Sequence, residues 1–115
     1  MAINANDKDR QPDDSYEAMV QLANKKKYSF PYVYDETQEV AKAFGATRTP
    51  HVYIANKEGS DLKLAYIGAI DNNAKDVSKV TQKYTEDAVE NLLAGESVVT
   101  NFTKAIGCTI KWKES

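Results

Sequence analysis

Cysteine is almost missing from this sequence: its 115 residues contain one, Cys108. That excludes an internal disulfide and leaves an intermolecular bridge or a free thiol. Histidine is equally scarce, with His51 alone. A zinc-type centre needs several nitrogen or sulfur donors at ligand spacing, so neither a metal nor another cofactor is expected. No apolar run approaches the roughly 20 residues that cross a bilayer. A basic-plus-hydrophobic leader is also lacking, so the sequence reads as cytoplasmic, without a membrane partner. The net charge of −2 denies the chain the basic face that nucleic-acid binding requires. Neither a glycine-rich phosphate loop nor a G-x-S-x-G nucleophile elbow occurs. With no repeat, low-complexity tract or linker, residues 1–115 read as a single domain.

What is present is ordinary in bulk and specific in detail. The hydrophobic fraction is 42% and the charged fraction 28%, as in a soluble globular core with a solvated surface. The organising stretch is Asp35 to Ala55, D-E-T-Q-E-V-A-K-A-F-G-A-T-R-T-P-H-V-Y-I-A. Asp35 and Gln38 stand at capping-box spacing ahead of a helix whose Val40, Ala41 and Phe44 share a face. Gly45 supplies a left-handed stop. Pro50 opens a strand over His51–Ala55, the position where a strand tolerates proline. Because only X–Pro bonds form cis peptides cheaply, Thr49-Pro50 is a candidate cis bond.

Around that stretch the pattern is consistent with an α/β chain. Ala2–Asn6 reads as the tail of a strand. Asp14 and Glu17 form a second capping-box spacing, opening a helix to about Lys26 with Ala18, Met19, Leu22 and Ala23 inward. Lys25-Lys26-Lys27 then complements the helix C-terminal dipole. Tyr28–Tyr34, with Pro31 inside it, is an edge strand or extended connector. His51–Ala55 and Leu62–Ile70 form an antiparallel hairpin across the turn Asn56–Asp61. Along the second strand Leu62, Leu64 and Tyr66 face one way, and Gly68 marks a bulge or a close backbone approach. A polar connector covers 71–83. The last helix runs from a Thr85 cap to Ala94, with Ala88, Val89, Leu92 and Leu93 apolar and Gly95 as its stop. In the tail Cys108, Ile110 and Trp112 alternate, as in extended backbone packed on one side.

Several of these segments together resemble the redoxin proteins (AhpC/TSA-type, peroxiredoxin-like) of the thioredoxin-like fold. The segments are I-N-A-N-D at Ile3–Asp7, P-D-D-S at Pro12–Ser15, Phe30–Ala43, G-A-T-R-T-P-H-V at Gly45–Val52, and G-C-T-I-K-W-K at Gly107–Lys113. The resemblance implies a thioredoxin-like mixed sheet with a β-hairpin, flanked by helices. It also implies thiol–disulfide or peroxide chemistry with a thiol/disulfide protein or a peroxide as the other reactant. In such proteins a strand leading into C-x-x-C precedes the I-N-A-N-D strand. This sequence starts at Met1 without it, so the expectation is an N-terminally incomplete version of the fold. Removing a central strand opens a gap of roughly 10 Å between its neighbours. Two repairs are expected: Ala2–Asn6 detaches, or a second copy supplies a strand in an exchanged homodimer.

By the same resemblance, Thr49 offers its backbone to an extended partner by short β-addition, with Arg48, Pro50 and His51 around it. Cys108 is the sole nucleophile in the sequence, and nothing nearby marks it as catalytic: no C-x-x-C and no peroxidatic Pro-x-x-x-Thr/Ser-x-x-Cys pattern. Read from its residues, it is a half-buried structural cysteine. The expected function is that of a redoxin relative without dithiol activity of its own. A non-catalytic binding or assembly module, using the proline loop or an open sheet edge, is the alternative.

Overall fold

The computed structural model describes residues 1–73 and 75–113. It is a small mixed α/β structure of short strands and helices, divided into two compact units: residues 1–47 with the tail from 109, and residues 48–108. The described strands form three two-stranded ladders rather than one continuous sheet.

In the first unit, β1 (Ala2–Asn4) pairs in parallel with β2 (Tyr32–Tyr34), Ile3 lying opposite Val33. The start of the chain is therefore tied into a ladder, and the expected detachment of Ala2–Asn6 does not occur. Pro31 precedes β2 and still contributes, its carbonyl accepting from Ala2 N at 2.9 Å. A 3-10 turn, Pro12–Asp14, leads into α1 (Tyr16–Lys26). Its cap is Ser15, whose hydroxyl accepts from Ala18 N at 3.2 Å, not Asp14. Asp14 is drawn away by Asn6, whose Nδ2 donates to Asp14 Oδ2 at 2.8 Å. Met19 is the buried residue of α1, and Lys27 closes the helix in the left-handed region at φ 52°.

α2 (Glu39–Phe44) starts later than the capping-box spacing predicts. The Asp35 carboxylate does cap it, accepting from Ala41 N at 2.8 Å and Val40 N at 3.4 Å. Gln38, by contrast, adopts φ 64° and turns its carboxamide away from the helix. That group donates to Ala5 O at 2.7 Å and Lys111 O at 2.9 Å, and accepts from Lys113 N at 2.9 Å. It is 2% exposed. A long-range partner outcompetes the local one here, because a buried carboxamide must satisfy both its donor and its acceptor.

The second unit is built on the expected hairpin. β4 (Val52–Glu58) and β5 (Asp61–Gly68) are antiparallel, and the strands run further into the turn than the polar residues suggest, leaving Gly59-Ser60 at the tip. The register shifts between Ile54, opposite Tyr66, and Ala55, opposite Leu64. Ala65 is thus the extra residue of a bulge, which breaks the side-chain alternation. Tyr66 goes inward at 1% exposure, while Leu62 and Leu64 stay exposed, contrary to the single face expected for all three. The other edge of β5 is occupied by residues 101–103: Ile67 N donates to Asn101 O and Thr103 N to Ile67 O. Gly68 is the close approach the sequence suggested, since a Cβ there would run into the Thr103 hydroxyl and backbone.

α3 (Tyr84–Leu93) completes the unit, with Ala88 buried and Gly95 beyond its end at φ 75°. Thr85 does not cap it. Its hydroxyl donates to Ala69 O at 3.1 Å, and the N-cap residue, Lys83, makes no side-chain capping bond. The apolar face is narrower than expected, with Leu93 82% exposed. The connector expected over 71–83 includes residue 74, which lies outside the described residues. Elsewhere in it Asn72 binds Thr81 and Gln82, and Asp76 receives the Ser78 amide and hydroxyl.

Candidate docking loop at Thr49-Pro50

Gly45, at φ 73°, ends α2, and the chain then runs extended through β3 (Arg48–Thr49). The Thr49-Pro50 peptide is cis, as the proline position suggested. His51 follows, and Val52 starts the hairpin. Arg48, Thr49, Pro50 and His51 are therefore one continuous turn of chain at the head of β4. Thr49 and Pro50 are exposed, and Arg48 and His51 half-buried.

Cys108 comes to this loop. It opens β6 (Cys108–Thr109), the strand that pairs with β3. Ahead of it Gly107 passes so close to the loop that a Cβ would meet the Thr49 carbonyl and lie 3.2 Å from Pro50 Cδ. The sole thiol of the sequence thus shares a two-stranded element with the expected docking residues. Cys108 is exposed, not the half-buried structural cysteine expected of a lone thiol. The alternation holds only from Ile110, which is 6% exposed. The pairing was invisible in the sequence because roughly sixty residues separate the two strands, and each is too short to carry a periodic signal. The one usable sign was Gly107, a residue able to let two backbones approach closely.

His51 stacks on Tyr53, ring centroids 4.9 Å apart at 25°. Partial burial lowers the His51 pKa below 6.5 and raises the Tyr53 phenol above its ordinary value. An exposed thiol beside a largely neutral imidazole can form one mixed disulfide. Release by internal exchange needs a second thiol. Among the described residues no group of three His, Cys, Asp or Glu side chains could hold a metal. No helix of the described residues is long and apolar enough to cross a membrane.

Two grooves lie elsewhere, one in each unit. One, of about 410 Å³, follows α3 between Gln82, Asp87, Asn91 and Val99. The other, of about 350 Å³, is bounded by Ile3, Val33, Thr37 and Val40. Neither includes a residue of the loop.

The chain is similar to two solved bacterial proteins. One is an uncharacterized conserved protein from Geobacillus kaustophilus, 44% identical, with a TM-score of 0.86. The match covers 99% of this chain and 59% of that one. The other is the hypothetical protein SMc02350 from Sinorhizobium meliloti 1021, 35% identical, also with a TM-score of 0.86. Here the match covers 99% of this chain and 61% of that one. The chain thus spans about six-tenths of the length of the solved proteins it matches. No protein-family model and no curated protein matches it.

Proposed function

We propose that this chain is a thioredoxin-like, redoxin-type module whose Arg48–His51 loop docks an extended thiol- or disulfide-bearing segment. The observation that carries this reading is the pairing of β3 with the strand of Cys108, which sets the sole thiol beside Thr49. A partner strand laid along the edge of β3 that β6 leaves open would gain main-chain hydrogen bonds at no sequence cost and bring its disulfide towards the thiol. Cys108 as thiolate attacks one sulfur of that disulfide, forming a mixed disulfide and expelling the other sulfur as thiolate. With one cysteine in the sequence, the chain by itself stops there. Dithiol turnover is accordingly not its own activity, and the setting that suits an exposed free thiol is the cytoplasm.

The test is disulfide reduction and peroxide consumption, measured for the chain and for Cys108→Ser. The expected result is no catalytic turnover in either, and a single stoichiometric mixed disulfide, seen by intact mass, in the wild type only. Peroxide turnover lost on substitution would replace this reading with one-cysteine peroxidase chemistry. Turnover that survives substitution would overturn the site altogether.

The second reading is a non-catalytic binding or assembly module, favoured by the exposure of the loop and by a β1 edge not used in the β1–β2 ladder. A strand-exchanged homodimer belongs to it. Light scattering behind size exclusion at micromolar concentration distinguishes the two: a dimer supports the module, a folded monomer the docking loop alone.

A further inference from the structure

We propose that residues 110–113 form a strap that opens as one unit, with Gln38 as its latch. The strap is extended, yet main-chain pairing supplies only part of its hold. Lys111 N donates to Asn6 Oδ1 at 2.8 Å, and Lys111 O accepts from Asp7 N at 2.8 Å and from Gln38 Nε2 at 2.9 Å. Lys113 N donates to Gln38 Oε1 at 2.9 Å. Trp112 O accepts from Arg10 Nη1 at 3.0 Å, and the Lys42 ammonium sits 5.8 Å from the centroid of the Trp112 ring. Ile110, its N–H donating to Thr47 O at 3.2 Å, is the apolar anchor.

This differs from a β-ladder in one respect that matters. In a ladder each bond joins two backbones, and no single side chain breaks more than its own contacts. Here one carboxamide bridges Lys111 and Lys113 and is itself fixed by Ala5 O. The Lys111 carbonyl and the Lys113 amide therefore share a partner, while the Lys111 amide is held by Asn6, so its release together with Lys113 reports the strap opening as a whole. Beyond Ile110 the packing thins out, with Lys111 and Trp112 half-buried and Lys113 exposed, so the hydrogen bonds carry much of the hold. Local opening of this kind is drawn from segments with few buried apolar contacts. The inference concerns only the first unit and is independent of the docking-loop reading.

Amide hydrogen exchange followed by NMR on the full chain tests it. In the wild type, Lys111 and Lys113 should exchange through one common opening, faster than Met19 in α1 and nearly independent of low denaturant. Gln38→Ala should speed both by roughly tenfold or more, while Met19 and Ile67 stay within about twofold. Arg10→Ala, which removes one exposed bond, should change them little. Unchanged Lys111 and Lys113 in Gln38→Ala, or an equal rise at Met19, overturns the proposal. If Gln38→Ala does not fold, the wild-type measurement decides alone: unequal protection of the two amides, or denaturant dependence matching that of Met19, rejects the strap.

Discussion

The two compact units are held by different physics. Among the described residues the buried polar and charged side chains, Asp7, Asp35 and Gln38, all lie in the first unit, alongside Met19, Ala41 and Ile110. The second buries Tyr66, Ala69, Ala88 and Ala105, and its tightest feature is backbone against backbone at Gly68 and Thr103. One unit is organised by side chains that satisfy main-chain groups, the other by close packing around a hairpin. The first should tolerate changes of volume and be sensitive to lost hydrogen bonds. The second should show the reverse.

The largest expected effect comes from breaking the close approach in the second unit. Gly68→Ala places a Cβ on the Thr103 hydroxyl and backbone at φ 151°. Overpacking and backbone strain together should destabilise by about 2–4 kcal/mol, read from urea unfolding. A loss below about 1 kcal/mol would mean residues 101–103 are loosely held, and the contrast between units would fail. Next is the first unit's cap. Asp35→Ala removes the acceptor of Val40 N and Ala41 N and should cost about 1–2 kcal/mol, with helical circular dichroism reduced. Asp35→Asn, which keeps an oxygen acceptor, should recover most of that.

Thr103→Val sharpens the comparison from the other side. Its hydroxyl lies 2.6 Å from Tyr66 Oη and accepts from Ala69 N at 3.0 Å. Val is near in volume, so the packing survives and the loss should be about 1–2 kcal/mol, that of leaving the Ala69 amide without its acceptor. If Thr103→Val proves as damaging as Gly68→Ala, polar satisfaction governs both units and the distinction disappears. Glu58→Ala should change almost nothing, because its pairing with Lys63 at 3.4 Å is solvent-exposed on both sides.

The same contrast explains what the sequence disclosed. Pro50, Gly45, Gly95 and the polar turn at Gly59 are local signals, and the features they predicted are present: the cis bond, two helix stops and the hairpin. What failed were assignments in which a polar side chain had a choice. Gln38, Asp14 and Thr85 each stood at capping spacing, and each spends its side chain, at least in part, on a residue from another segment: Gln38 on Ala5, Asp14 on Asn6, Thr85 on Ala69. Spacing reports which bonds are available nearby, and burial decides which are made. The bulge at Ala65 was hidden for a related reason, since strict alternation of Leu62, Leu64 and Tyr66 carries no mark of a shifted register. Of the candidate site, the loop was legible and the arrival of Cys108 beside it was not.

The smallest effect tests the loop itself. Partial burial lowers the His51 pKa below its ordinary value of 6.5. A folded pKa below the unfolded one means the unfolded chain holds the proton more tightly, so stability rises with pH across that interval. The contribution is fully present above about pH 6.5 and is lost as pH falls from 6.5 towards the folded value. His51 is only half-buried, so the change in stability is slight and the titration is the better readout. Proton NMR of the single histidine should give a midpoint below 6.5, and Tyr53→Ala should move it back towards 6.5 by removing the ring it stacks on. A midpoint at or above 6.5 would place His51 beside an acidic partner instead. The head of β4 would then be a charged surface, less suited to the proposed docking of an extended segment.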